Sequence, residues 1–122
     1  MLFRSPPEAV PDFVGVMDAV VHLSRREGLA RALPQALAAA RPVIAYDCDG
    51  AAEVCIENET GFLVKPGDLG TLRERIGLLA RDAALCERLG QRGRAMVKEN
   101  FSVERMVAQI DALYRRLLAV NR

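Results

Sequence analysis

Glu27 and Gln35 stand eight positions apart in the stretch EGLARALPQALAAARPVIA. A carboxylate accepts hydrogen bonds from hydroxyl groups, and a primary amide both accepts and donates them. The three residues after Glu27 lead into a predicted helix: Gly28, Leu29 and Ala30. The first backbone N–H groups of a helix lack partners within it, and together with the helix dipole they suit a phosphate or a sugar oxygen. The stretch therefore predicts a site for a ligand that carries hydroxyls and phosphates.

The segments around this stretch alternate between predicted strands and helices. Short apolar runs at 19–23, 42–46 and 61–64 are typical of buried strands. Small residues and leucines favour a helix over about 30–40, with Pro34 in its first turns. Parallel strands need crossover connections and helices on both faces, so this order predicts an α/β fold with a parallel sheet.

Two connections follow the first two predicted strands, at 24–30 and 47–51. Ligands of an open parallel sheet lie beyond the carboxyl ends of the strands, where these connections meet. Ser24 and Gly50 are therefore further candidates for ligand contacts, although a surface turn explains Ser24 equally well. His22 ends the first predicted strand, and we favour a hydrogen-bonded structural role for it over contact with a ligand.

Only helices are predicted after residue 65. An N-cap at Asp68 or Thr71 starts the first of them. The second covers 83–98 and is expected to break or bend near Gly90 and Gly93. The third carries a long apolar stripe. Its members are Met106, Ile110, Leu113, Leu117 and Val120.

The composition indicates one globular domain or part of a larger one. The chain has 122 residues, 51% hydrophobic residues and a formal net charge of +1, so we expect no nucleic-acid partner. Three cysteines without a CxxC pair suggest reduced thiols in a cytoplasmic protein, and a single histidine leaves few ways to build a Cys/His metal site. No apolar run approaches the roughly 20 residues of a membrane span.

Three motifs together resemble a known family: SRREGLARALPQALAAARPVIAYDCDGAAEV, then ENETGFLVKPGD, then LGQRGRAMVKENFS. They resemble the C-terminal, donor-binding domain of retaining glycosyltransferases of the two-Rossmann-domain (GT-B) type, family 4, over about residues 10–118. The resemblance implies a partial Rossmann-like parallel sheet flanked by helices with a C-terminal all-helical segment, the second half of a GT-B C-terminal domain.

The resemblance also implies a function, the transfer of a sugar from a nucleotide-sugar donor to an acceptor with retention. The acceptor stays open between a sugar, a lipid-linked sugar and a small molecule, and no metal or other cofactor is implied. Glu27 matches the family's first acidic residue, which contacts the donor sugar and its phosphates, and is the candidate catalytic residue. The donor-binding candidates are Gly28, Leu29, Ala30, Gln35, Ser24 and Gly50. The alternative function is a non-catalytic α/β regulatory or nucleotide-binding module.

Three positions depart from the family pattern. Gln35 stands where the family has a second acidic residue that binds ribose, and a neutral hydrogen bond should weaken that contact by about 1 kcal/mol. Ala30 and Ala40 stand where the family usually has glycine. If Ala40 adopts a left-handed conformation, the cost is about 1 kcal/mol.

Asp47, Cys48 and Asp49 match the Asp-Xaa-Asp pattern with which another class of glycosyltransferases holds a divalent metal. In this chain the stretch occupies the family's glycine-rich turn, and a short helix is predicted at about 51–57. We therefore favour a turn, or an N-cap at Asp49, over a metal site.

The domain organisation is predicted to be incomplete. The sequence MLFRS at 1–5 has neither a helix-capping residue in a suitable position nor the pattern of a strand. Our hypothesis is that it is a non-native leader. Residues 6–122 would then be a truncated nucleotide-sugar-binding domain that lacks the N-terminal domain of the same protein. We expect this fragment to be inactive alone, and the full-length protein to be cytoplasmic, with peripheral attachment to the inner membrane face as an option.

Overall fold

A computed structural model describes residues 9–120, so the leader predicted at 1–5 lies outside the described residues. Three strands form one parallel sheet in the order β1 (Val20–His22), β2 (Val43–Tyr46) and β3 (Gly61–Val64). Val43 at the start of β2 pairs with the first residues of both neighbours. Each strand lies within the apolar run that predicted it, and the parallel arrangement is confirmed.

One helix precedes the first strand, and further helices follow each strand. They are α1 (Val10–Gly15), α2 (Ala32–Ala38), a 3-10 helix (Asp49–Glu53), α3 (Leu69–Arg81), α4 (Ala83–Asn100) and α5 (Val103–Val120). The helix predicted at 51–57 is therefore a shorter 3-10 helix that begins two residues earlier. Helix α2 is also shorter than predicted, with seven residues.

The sheet separates two hydrophobic cores, and β2 is buried on both faces. On one face Val43 and Ala45 belong to the same core as Leu33 and Leu37 of α2, both of which are completely buried. On the other face Ile44 and its neighbours pack with residues of α3 and α4. Side chains alternate between the faces of a strand, so the apolar run of β2 supplies both cores.

Helix α4 is continuous from Ala83 to Asn100, so the predicted break near Gly90 and Gly93 is wrong. Both glycines are buried where α4 crosses α2. A Cβ atom on Gly90 would overlap the Ala40 carbonyl group, and one on Gly93 would overlap the Leu37 side chain. The glycines therefore allow close packing of two helices, and the tertiary contact outweighs their low helix propensity.

Ala40 ends α2 in a left-handed conformation, with φ of 56°. The N–H of Arg41 donates to the Ala36 carbonyl at 2.9 Å, and the N–H of Ala40 donates to that of Leu37 at 2.9 Å. These two bonds form a Schellman motif, in which glycine is the usual left-handed residue. The strain predicted for an alanine at this position, about 1 kcal/mol, is therefore present.

Side-chain caps open the three C-terminal helices. Asp68 accepts the Thr71 N–H at 3.0 Å, and this bond lowers the pKa of the Asp68 carboxyl. Asp82 accepts the Leu85 N–H at 2.8 Å at the start of α4. Ser102 accepts a backbone N–H of α5 at 3.2 Å. Of the two caps considered for α3, the structure has Asp68.

Helix α5 lies on the surface, and each of its residues is exposed. The predicted apolar stripe is present as a helical face, but Ile110 and Leu117 are 44% and 50% exposed. Within residues 9–120, no helix is both long enough and apolar enough to cross a membrane.

Candidate functional site

The connections after β1 and β2 meet at the carboxyl end of the sheet, where two hydrogen bonds join them. The backbone N–H of Glu27 donates to Oδ2 of Asp49 at 2.7 Å. In return, the N–H of Gly50 donates to the Gly28 carbonyl at 2.9 Å. The two bonds run in opposite directions between the connections, so they fix both the separation and the register of the two segments.

Close approach at Gly50 makes this junction possible. A Cβ atom at Gly50 would lie 2.5 Å from the Gly28 carbonyl oxygen, which is too close for a real side chain. The Cys48 thiol also donates to the Ser24 carbonyl at 3.2 Å. Gly50 is therefore required for the contact between the two connections, whereas a Cβ atom at Gly28 would meet nothing within 4 Å.

A small cleft lies between the two connections. Its lining residues come from β1, β2 and the segments that follow them: His22, Ser24, Glu27, Gly28, Ala30, Tyr46, Cys48 and Ala51. The Glu27 side chain is 44% exposed, and no described residue forms a hydrogen bond with its carboxylate. The structure thus brings four of the predicted residues to one cleft, with a carboxylate available to accept hydrogen bonds from hydroxyls.

His22 lies beside Glu27 in this cleft. The distance between His22 Nε2 and Glu27 Oε1 is 3.5 Å, but the geometry is not that of a hydrogen bond. The Nε2 atom is buried and has no hydrogen-bond partner among the described residues. The expectation of a hydrogen-bonded structural histidine is therefore wrong for this nitrogen. A buried polar atom without a partner requires an explanation, and a bound ligand or water is one.

Of the two roles favoured for Asp49, a turn and an N-cap, the N-cap is wrong: Asp49 does not cap the 3-10 helix. The N-cap position of that helix is Cys48, and no side chain caps it. Asp49 instead lies in the left-handed region with φ of 47°, and its carboxylate turns toward Glu27. In residues 9–120 no three His, Cys, Asp or Glu side chains form a group that could hold a metal ion.

The remaining donor-binding candidates differ in their exposure and in whether they line the cleft. Leu29 packs against the hydrophobic core, and Ala30 is buried in it at 5% exposure. The backbone N–H groups of Gly28, Leu29 and Ala30 donate to no described residue. Gln35 is exposed on α2, does not line the cleft, and its side chain bonds no described residue.

Three of the lining residues were not named as contacts by the sequence, Tyr46, Cys48 and Ala51, although the last two lie in the connection 47–51 that it placed at this end of the sheet. They end β2 or follow it, so the parallel register of β1 and β2 could have indicated them. Cys48, Cys55 and Cys86 are all free. Burial raises the pKa of the Cys55 thiol to about 12 and also raises the pKa of Cys86, so burial disfavours the reactive thiolate form of both cysteines.

A larger groove lies near the amino ends of β1 and β2. Its polar rim includes Asp18, Arg41, Glu87 and Gln91. Arg41 donates to the Gly15 carbonyl at 2.7 Å, and its buried Nε has no hydrogen-bond partner among the described residues. Ligands of parallel sheets bind at the opposite end of the strands, so the smaller cleft beside Glu27 is the candidate site.

A comparison with known protein families identifies the family of this chain. The family described as "Glycosyl transferases group 1" matches residues 1–96. The match covers more than half of the 122 residues, and the chain belongs to this glycosyltransferase family. The resemblance is therefore confirmed as far as a group 1 glycosyltransferase.

Two curated relatives agree with this assignment. The chain is 32% identical over 106 residues to the capsular polysaccharide biosynthesis glycosyltransferase CapM of Staphylococcus aureus, covering 87% of the chain and 28% of that protein. It is 34% identical over 99 residues to the lipopolysaccharide core biosynthesis mannosyltransferase LpcC of Rhizobium leguminosarum bv. viciae, covering 81% and 28% respectively. The chain thus spans little more than a quarter of either relative.

A solved structure confirms the fold class. Sucrose-phosphate synthase from Thermosynechococcus elongatus superposes on 82% of this chain with a TM-score of 0.75 and 34% sequence identity. The matched region is 26% of that enzyme. The three-stranded parallel sheet, its flanking helices and the C-terminal helical segment are therefore those of a GT-B glycosyltransferase domain.

Proposed function

We propose that the chain is part of a GT-B glycosyltransferase of family 4, which transfers a sugar from a nucleotide-sugar donor to an acceptor with retention at the anomeric carbon. Residues 6–122 would form part of the donor-binding domain. The acceptor-binding N-terminal domain would be a separate part of the same protein. The chain's limited share of its relatives, 28% of CapM, supports this division.

The position of Glu27 is the observation that carries the proposal. Its carboxylate stands at the mouth of the cleft at the carboxyl end of the sheet, without a hydrogen-bond partner among the described residues. Its main chain is held by the bond to Asp49. An exposed acceptor on a fixed backbone suits a ligand with several hydroxyls, because little conformational freedom is lost when the ligand binds.

The chemistry follows from what the donor presents. Hydroxyls of the sugar would donate to the Glu27 carboxylate, and the free N–H groups of Gly28 and Leu29 would donate to diphosphate oxygens. Negative charge grows on the diphosphate as the sugar leaves, and preorganised N–H donors stabilise it. Catalysis in this proposal depends mainly on positioning and electrostatic stabilisation, and no metal or cofactor takes part.

The partners in this proposal are a nucleotide-sugar donor and an acceptor that is a sugar, a lipid-linked sugar or a small molecule. The names of the relatives, which refer to capsular polysaccharide and lipopolysaccharide core, favour a glycan acceptor. Three free cysteines suit a reducing compartment, so we place the reaction in the cytoplasm.

The test of the proposed function is an assay of the complete gene product with a panel of nucleotide sugars. We expect transfer from one of them, with the anomeric configuration of the donor preserved in the product, as read from the NMR coupling of the anomeric proton. The 122-residue chain alone should show no transfer. A product of inverted configuration would contradict retention, and turnover by the isolated chain would contradict the proposed division of the protein.

Replacing Gln35 by glutamate tests the assignment of the nucleotide contact. A carboxylate makes charge-assisted bonds with ribose hydroxyls, so Gln35→Glu is expected to tighten donor binding by about 1 kcal/mol, roughly fivefold in Kd. Calorimetric titration of the complete protein with its nucleotide measures this change. Gln35→Ala should have the opposite effect.

Gln109→Glu is the matched control, because Gln109 is exposed on α5 and the substitution adds the same charge. We expect it to leave the Kd unchanged. Equal Kd values for the wild-type protein, Gln35→Glu and Gln35→Ala would show that Gln35 does not contact the donor.

A further inference from the structure

Asp49 adopts a backbone conformation that side chains disfavour. Its φ of 47° lies in the left-handed region, and within residues 9–120 two other non-glycine residues share this region, Ala40 and Asn58. Ala40 ends a helix in a Schellman motif and Asn58 belongs to a turn, so both have a local reason for this conformation. Aspartate tolerates the region better than most residues, but a turn alone would be formed equally well by glycine or asparagine.

The Asp49 side chain supplies a hydrogen-bond acceptor, which glycine at this position would lack. Oδ2 of Asp49 accepts the Glu27 N–H at 2.7 Å, a distance typical of a charge-assisted hydrogen bond. The two residues are 22 positions apart, so the bond joins the segment after β2 to the segment after β1. The left-handed backbone and the long-range bond occur at one residue, and the bond gives the strained conformation a function.

The bond acts at the residue whose carboxylate faces the cleft. Beside it, the N–H of Gly50 donates to the Gly28 carbonyl, so the main chain on both sides of the Glu27–Gly28 peptide is held by the turn. The Glu27 side chain itself has no hydrogen bond to a described residue, and its direction therefore depends on where its backbone is held. Asp49 is the side chain that holds it.

We propose that Asp49 is a positioning residue, whose carboxylate fixes the main chain of Glu27 so that the Glu27 carboxylate meets the donor sugar in the correct place. Asp49 does not itself touch the substrate in this proposal. The catalytic part of the inference rests on the proposed function, but the contact between Asp49 and Glu27 can be tested without it.

Two substitutions distinguish the role of Asp49 as a hydrogen-bond acceptor from its role in the turn. Asp49→Asn keeps an oxygen acceptor at the same place and tolerates the left-handed region, whereas Asp49→Gly suits the backbone but removes the acceptor. Asn58→Gly is the matched control, because it also replaces a left-handed residue by glycine but lies away from the cleft.

The first measurement is amide hydrogen exchange by NMR on the 122-residue chain. Asp49→Gly is expected to speed exchange of the Glu27 amide about tenfold with the unfolding temperature changed by only about 3 °C, because a local bond is lost and the turn is kept. Asp49→Asn keeps a neutral acceptor and should speed exchange of that amide less than Asp49→Gly does, and Asn58→Gly should leave it at its wild-type rate. Equal exchange in the wild-type chain and Asp49→Gly would overturn the contact, whatever the activity of the complete protein.

The second measurement is the steady-state kinetics of the complete protein. We expect Asp49→Gly to lower kcat roughly fivefold with a smaller change in the donor KM, because a misplaced carboxylate affects the reacting state more than binding. Asp49→Asn should restore most of kcat, and Asn58→Gly should not alter it. Unchanged kcat in Asp49→Gly, or an Asp49→Asn protein as slow as Asp49→Gly, would overturn the positioning role.

These two measurements separate failure of the inference from failure of the proposed function. A complete wild-type protein that transfers no sugar contradicts the proposed function and, with it, the catalytic part of the inference. The exchange rate of the Glu27 amide then still decides whether Asp49 holds the Glu27 main chain.

Discussion

Replacing Glu27 by alanine in the complete protein is expected to lower kcat about a hundredfold or more, the usual effect of removing one electrostatic contact to a reacting group. The carboxylate stands at the cleft, 44% exposed and without a hydrogen bond to a described residue, so its loss should affect the reaction far more than the fold. The measurement is steady-state kinetics with the donor that the wild-type protein uses.

Two controls make this result specific. Glu27→Ala keeps the backbone N–H that Asp49 accepts, so the unfolding temperature should stay at the wild-type value. Glu74→Ala removes a carboxylate from the exposed face of α3 and should leave kcat unchanged. A Glu27→Ala protein that retains turnover within about a factor of two would exclude Glu27 from catalysis, since a contact to the reacting sugar contributes more than that.

Gly90→Ala is expected to destabilise the domain strongly. The added methyl group would overlap the Ala40 carbonyl, which belongs to the backbone and cannot turn aside as a side chain can. Helices α2 and α4 would have to move apart, and we expect a loss of about 3 kcal/mol or more, a large part of the stability of a small domain. The measurement is thermal unfolding followed by circular dichroism, with a decrease of roughly 10 °C or more.

Gly77→Ala is the matched control in a neighbouring helix. A Cβ atom at Gly77 would meet only the flexible end of the Arg81 side chain, at 3.4 Å. Because alanine has the higher helix propensity, this variant should be more stable than the wild-type chain by about 0.5–1 kcal/mol. If Gly90→Ala were also more stable than the wild-type chain, that result would contradict the close packing of α2 against α4 at this position.

The strands and helix ends were predictable because their signals are local. The strands β1, β2 and β3 could be predicted from short apolar runs, because a run of apolar residues indicates a buried strand without knowledge of its neighbours. The caps at Asp68 and Ser102 were also predictable, since each side chain bonds a backbone N–H three residues away. The break predicted in α4 was wrong, because the propensity of Gly90 and Gly93 takes no account of the helix that packs against them.

The site was predictable in part. Glu27, Gly28, Ala30 and Ser24 line one cleft, as expected for residues that follow one strand. Gln35 was expected to bind the same ligand but does not line the cleft; its donor contact remains a prediction. The roles of these residues toward a donor sugar also remain predictions, which the Glu27 and Gln35 variants test.

The sequence by itself determined the class of fold, the order of its strands and helices, and the family, because hydrophobic periodicity and short motifs are properties of neighbouring residues. Only the tertiary structure decided what Asp49 and Gly90 do. Asp49 bonds a residue 22 positions away, and Gly90 lies against the carbonyl at the end of another helix. Contacts between distant residues depend on how the elements pack, and local propensity carries no information about them.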